Sequence, residues 1–380
     1  MQTPIDGRDS HLLATLLTSH TGAASDQAPS YRALRMPPWS RLRIAAWAAA
    51  TLHPITIAKP RVAGRPAGAG RAFRLAITRG IGAAAGLALL WLLASAVEWG
   101  TGQRLLPWNP YAGCGGSRPA SLPPTVRVGL YEEFPVPSRL AKLRYADFPV
   151  SLAIAAPSRE AFLKLSATIQ RAYPQVREVY FWPLLASQEG YYPGTWSDAG
   201  ALRRVAAEAE GLPVLWDLEM PPDVRHPSIR SWPQNRVWLD QWLSSRAAPV
   251  HLWRSHASMG LDPAFLRLVG MHFDPLDYPA VSLHLDLYTT GAGLPREQMA
   301  RILRCGVERY GRRFIPALGV LDDGHASPDR FVPIETLRRD LRLARSAGVA
   351  EVWLFGVNGL SANVVKTLHE TLPLDGGAKF

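Results

Sequence analysis

Acidic and aromatic residues recur at the ends of short apolar runs between Val126 and Leu374. The run PVLWDLE ends in Asp217 and Glu219, two residues apart, and residues at that spacing share one face of a strand. VSLHLDLY sets His284, Asp286 and Tyr288 on one face in the same way. VGLYEE ends in Glu132 and Glu133, and GVLDD in Asp322 and Asp323, with His325 beyond. VREVYFW ends in Trp182, and the long segment after it holds Glu189, Tyr191, Tyr192 and Trp196. VHLWR ends in Trp253 and Arg254, and EVWLFGVN supplies Trp353 and Asn358. Charge within an apolar strand is costly to bury unless it is paired or used. Paired carboxylates beside flat rings suit glycosidic-bond hydrolysis, in which one carboxyl protonates the leaving oxygen and another acts as nucleophile or base. On this reading Glu219 is the general acid and Asp286 or Asp323 the second carboxylate. Asp217 raises and orients Glu219 by like-charge proximity. The expected substrate contacts are Glu133, Trp182, Tyr191, Trp253, Arg254, His284, Tyr288, Trp353 and Asn358. The competing reading of such acids is structural, as ion pairs, helix caps or, for Asp-Asp-Gly, a turn.

These residues need a scaffold that brings many strand ends together. Short β-rich runs fall at Val126–Glu133, Val150–Ala156, Val176–Trp182, Pro213–Glu219, Val250–Ser255, Ala280–Tyr288, Phe314–Leu321 and Ala350–Phe355. Helical patterns lie between them: Ser158–Tyr173, Ser197–Glu210, Trp232–Ser245, Pro263–Val269, Pro295–Tyr310, Pro333–Ser346 and a closing Ser361–Thr371. The first crossover offers only the short candidate Pro137–Tyr145. Eight alternating units in about 250 residues predict a (β/α)8 TIM barrel over residues 125–375. An open doubly wound sheet is the competitor, but it usually carries a Gly-rich phosphate turn after its first strand. Here that strand runs into YEEFPVP, which has no glycine.

The net charge of +11 is concentrated before the barrel. Residues 1–120 hold 13 Lys/Arg and 4 Asp/Glu, whereas the remaining 260 hold 29 and 27. The globular part is therefore nearly neutral, which argues against nucleic acid as a partner. Residues 1–79 read as a disordered basic segment and residues 99–124 as a Gly/Pro linker. Between them Gly80–Val97 is 18 residues long without a charge, the lower end of a spanning helix. Arg71, Arg74 and Arg79 precede it and Glu98 follows, so the positive-inside rule exports everything after residue 98. An anchor over residues 80–98 leaves the barrel tethered outside the membrane. A secretory signal cleaved after Ala96, in Ala94-Ser95-Ala96, releases it instead. A buried core helix is the third reading of this run.

The layout resembles exported TIM-barrel glycoside hydrolases, and among them the chitinase-like branch. That branch ends its fourth strand in a series of Asp and a catalytic Glu, which Asp217-Leu218-Glu219 matches in its last part only. Leu212 and Leu215 stand where the earlier Asp residues would be. An acid ending strand 6 is similar to Asp286, and a strand-8 Trp to Trp353. The resemblance implies a carbohydrate substrate, carboxylate catalysis and no cofactor. A divalent metal on Glu219, His256, His284, Asp286 and Asp323 is a rival chemistry, although no His-x-His follows the first strand. A non-catalytic barrel binding a glycan or a protein is another. No Walker loop, no G-x-G-x-x-G between strand and helix, and no G-x-S-x-G elbow is present. The two cysteines, Cys114 and Cys305, form no zinc motif or disulfide framework.

Overall fold

The computed structural model describes residues 122–219, 231–254, 270–289, 295–321 and 331–375. The basic segment, the apolar run at 80–98, nearly all of the linker, the predicted helix at 263–269, His256 and Asp323 lie outside the described residues. Among the described residues, no helix is long and apolar enough to cross a membrane.

Eight parallel strands form a closed barrel in sequence order. They are β1 (Arg127–Glu132), β2 (Val150–Ala156), β3 (Val176–Pro183), β4 (Val214–Asp217), β5 (Val250–Arg254), β6 (Val281–Asp286), β7 (Phe314–Val320) and β8 (Glu351–Phe355). β8 pairs with β1 through Gly129↔Trp353 and Tyr131↔Phe355, which removes both sheet edges. Parallel neighbours need crossovers, and helices supply them. The described helices are α1 (Pro137–Leu140), α2 (Arg159–Ala172), α3 (Ala199–Glu208), α4 (Trp232–Ser245), α5 (Arg296–Tyr310), α6 (Ile334–Ser346) and α7 (Ala362–Thr371). Local chemistry sets their starts. The Ser158 side chain accepts from the Ala161 amide at 3.3 Å, and Asp198 accepts from Gly200 and Ala201 at 2.9 Å each. The first crossover holds only α1 and a 3-10 turn at Ala141–Tyr145, as short as the sequence indicates.

The barrel has two cores. One is aliphatic and lies between strands and helices, with Leu130, Leu152, Ile154, Val214, Leu252, Leu283, Leu318 and Leu354 facing out from the strands. The other fills the interior and is aromatic: Tyr131, Tyr180, Trp182, Trp253, Tyr288 and Trp353 pack there with Ala153, Ala155, Leu215, Ile315 and Ala317. Gly129 explains how Trp353 enters, because a Cβ at position 129 would sit 2.0 Å from the indole Cε2. The N-terminal end is occupied by polar side chains. Arg127 pairs with buried Glu351, which also accepts from the Trp353 indole at 2.6 Å. Glu178 accepts from Ser151 at 3.3 Å and from the Tyr180 hydroxyl at 3.0 Å.

Candidate active site

Side-chain alternation carries the sequence of β4 into a site. Leu215 belongs to the interior, so Asp217 and Glu219, two and four residues on, lie on the same face at the C-terminal end. Asp217 is 2% exposed, and its Oδ1 accepts the Glu219 amide at 3.1 Å. Burial, and then the charge of Glu219, push the Asp217 carboxyl well above the usual carboxylate range. The Glu219 amide opposes the rise, and the charge of Glu133 adds to it. The Trp182 indole N–H makes no hydrogen bond of regular geometry, but it lies close enough to favour the Asp217 anion. Glu219 is half-buried and accepts from the Trp253 indole N–H at 3.1 Å. Two carboxyls this close disfavour a double charge, which together with burial favours the protonated form of Asp217.

A segment after β3 closes over this pair. Its residues 187–189 form a 3-10 turn, and Glu189 is held by Arg204 through two bonds of 3.0 and 2.8 Å. Tyr191 follows with φ +63°, alone among the described non-glycine residues in having a positive φ. Its hydroxyl donates to Glu133 Oε1 at 2.7 Å. Gly194 packs on the end of β4, where a Cβ would meet the Glu219 carbonyl at 3.0 Å. Asn235 of α4, fully buried, donates to the Thr195 and Ser197 carbonyls at 3.0 and 2.8 Å and pins the segment from outside. The Tyr192 phenol is pushed well above its usual range by burial, then by the charges of Glu219, Asp217 and Glu133.

An aromatic floor lies below. The Tyr131 ring centroid is 4.6 Å from Trp253, 4.8 Å from Trp353 and 6.3 Å from Trp182. Its hydroxyl is 2.6 Å from His284 Nδ1. The His284 ring lies 4.3 Å from that of His251, which stacks on Tyr180 at 4.2 Å. Burial pushes His251 down to about 3, aided by Arg127. Burial and the neighbouring His251 push His284 well below the imidazole range. Both rings are neutral at pH 7.

The structure thus gathers Glu133, Trp182, Tyr191, Asp217, Glu219 and Trp253 from β1, β3, β4 and β5. Asp286 is half-buried at the end of β6, where its Oδ1 accepts the Tyr288 amide at 2.9 Å. Tyr288 is buried 6.0 Å from Trp253, ring to ring. Asn358 is half-buried in a 3-10 turn after β8. Arg254 closes β5, and its side chain lies outside the described atoms. Two expected contacts sit deeper than the mouth: Trp353 and His284 are both 0% exposed. Gly129 admits the first indole to the centre, and the Tyr131 hydroxyl holds the second ring there. Glu132 turns the other way, accepting from the Phe134 amide at 2.8 Å and lying 3.2 Å from Arg139 of α1. His251 and Asn235 were not singled out by sequence spacing. Among the described residues, no group of three or more His, Cys, Asp or Glu is arranged to hold a metal ion.

No family model and no curated protein matches the chain. Among solved structures it is similar to a chain described as a fructose-1,6-biphosphate aldolase from Coccidioides immitis, at 14% identity and a TM-score of 0.36, over 65% of this chain and 91% of that one. It is also similar to a dihydropteroate synthase from Coxiella burnetii in complex with pteroic acid, at 11% identity and a TM-score of 0.30, over 65% and 93%. The barrel therefore stands on its own closed strand order, and its chemistry on the residues at the mouth.

Proposed function

We propose that the protein is a hydrolase of glycosidic bonds that works by carboxylate acid/base catalysis, with Glu219 as the proton donor. The observation that carries this reading is the Asp217–Glu219 pair. Its two acids stand side by side in a buried setting that disfavours charging both, and the outer member, Glu219, accepts from the Trp253 indole N–H at 3.1 Å. A proton shared within the pair and delivered through Glu219, its outer member, is what protonation of a leaving oxygen requires. Trp182 and Trp253 lie beside the pair, with the Tyr288 ring 6.0 Å from that of Trp253, and flat rings of this kind suit a pyranose face. The second carboxylate comes from Glu133 or Asp286, which stand at the same end of the barrel by strand order, or from Asp323. The basic N-terminal segment and the uncharged run at 80–98 support an extracytoplasmic barrel, tethered or released. Alkaline phosphatase, which is active only where its disulfides form, tests that part when fused after residue 124: a fusion produced at full length but inactive would overturn it.

The catalytic reading is tested by incubating the full chain with a panel of 4-nitrophenyl glycosides covering neutral, N-acetylated and amino hexoses in both anomers. Release of nitrophenol from at least one is expected. On the methyl glycoside of the same sugar, whose alkoxide needs a proton to leave, Glu219→Gln should lower kcat by about a hundredfold or more while substrate binding persists. Saccharide binding without turnover by the wild-type protein, or a fully active Glu219→Gln, overturns the reading.

A further inference from the structure

We infer that Glu133 is the second catalytic carboxylate of this site, partnering Glu219, and that Tyr191 is the residue that positions it. This rests on the hydrolase reading above and specifies it further.

Placement is the first argument. Gly129 and Tyr131 present to the barrel interior, so alternation carries Glu133 to the same face just past the end of β1. Glu133 is 7% exposed, and its neighbour Glu132 is committed on the opposite side to Arg139 and the Phe134 amide. One of the two acids is structural, and the other faces the mouth.

The backbone of Tyr191 is the second argument. A left-handed non-glycine residue costs on the order of 1–3 kcal/mol and persists only where its surroundings over-determine it. Here the Tyr191 amide donates to the Ala186 carbonyl at 3.3 Å, and its carbonyl accepts from Leu185 at 2.7 Å. The Glu189–Arg204 pair and Asn235 hold the flanks. A loop that only joined β3 to α3 would have no need of this conformation. What it achieves is to bring the phenol across from β3 to Glu133 Oε1 at 2.7 Å.

The third argument is that this one segment also abuts the acid. Gly194, three residues after Tyr191, packs against the Glu219 carbonyl. The phenol of Tyr192 feels Glu219, Asp217 and Glu133 together. Asp286, by contrast, spends Oδ1 on the Tyr288 amide, and its charge is felt by Tyr131 below. A single rigid loop thus fixes Glu133 relative to Glu219, which a two-carboxyl mechanism requires.

The reaction consumes one water. The bond between the anomeric carbon and the glycosidic oxygen breaks as that oxygen takes the proton of Glu219. Glu133 supplies the electron pair that either deprotonates the attacking water or bonds transiently to the anomeric carbon. The water oxygen and one hydrogen end on the anomeric carbon. Its other proton goes to Glu219 in the covalent route, or to Glu133 in the direct one, where solvent exchange then returns a proton to Glu219 and removes one from Glu133.

The experiment uses the full chain and whichever 4-nitrophenyl glycoside the wild type cleaves. Glu133→Gln should lower kcat by about a hundredfold or more with little change in KM. Glu133→Ala should regain at least about tenfold of its lost turnover in sodium azide, because the small anion takes the place of the carboxylate. Tyr191→Phe should lower kcat by about tenfold at unchanged KM. Turnover near wild type in Glu133→Gln overturns the inference, as does a folded Glu133→Ala that azide does not rescue. If the glutamate variants lose their melting transition, an unchanged kcat in Tyr191→Phe overturns it alone. Absence of wild-type turnover on every glycoside sinks the hydrolase reading. An inactive Glu219→Gln beside an active Glu133→Gln sinks only the assignment of Glu133.

Discussion

Acid should destabilise the barrel through His251, in a window set by its burial. In the unfolded chain an imidazole titrates near 6.5. In the folded barrel His251 is held to about 3, enclosed by Tyr180, His284 and Trp353 with Arg127 nearby. Above pH 6.5 neither state binds the proton and His251 adds no pH dependence. Below it the unfolded chain binds a proton that the folded one refuses, so stability is lost as pH falls from about 6.5 toward 3. The slope approaches about 1.4 kcal/mol per pH unit, giving about 2 kcal/mol between pH 7 and pH 5. Asp217, Glu351 and Asp340 are pushed upward by burial and contribute with the opposite sign, so the total curve is not diagnostic. The diagnostic quantity is the difference between wild type and His251→Gln in urea unfolding at pH 7, 6 and 5. His284 and the carboxylates are common to both proteins. The difference should move by about 2 kcal/mol in favour of the variant on going from pH 7 to pH 5. Parallel curves would refute the argument, because they would mean that folded His251 protonates as freely as in solution.

Gly129→Ala should unfold the barrel or lower its stability by about 3 kcal/mol or more, since the new methyl lies 2.0 Å from an indole that neighbouring rings leave no room to move. A thermal melt within a few degrees of wild type would show that the interior is looser than described. Asn235→Ala strips the buried Thr195 and Ser197 carbonyls of their donor and should cost about 2–3 kcal/mol. It should also lower kcat, through the loop that carries Tyr191; a loss of stability with full turnover would separate the loop from catalysis.

Strand positions were legible because each is a short β-rich run closed by turn residues, and all eight fall within two residues of the bounds read from sequence. The contents of the barrel were less so. The strands read as aliphatic, yet Ser151, Glu178, Tyr180, His251 and Glu351 line an interior that runs the length of the sheet. A strand end in sequence also says nothing of its height in the barrel. Trp353 stands only two residues before the end of β8, but stagger places it level with Gly129 and below the mouth. Glu132 and Glu133 show the other limit. One residue of shift exchanges the two faces, and only the pairing of β1 with β8 and the capture of Glu132 by Arg139 decide between them. The Tyr191 conformation left no mark beyond a preceding glycine.

The deep residues nonetheless bear on the mouth. Trp353 and Tyr131 fill the centre of the barrel, and Arg127, Glu351 and Glu178 occupy its N-terminal end. Asp217 is 2% exposed over this filled centre, beside the segment that carries Tyr191 and Tyr192. Burial, more than the charge of Glu219, is accordingly the larger cause of the upward shift at Asp217. Replacing Trp353 by a smaller side chain would open the floor and hydrate Asp217 from below. The same central packing that leaves Trp353 at 0% exposure thus bears on the proton affinity of Asp217.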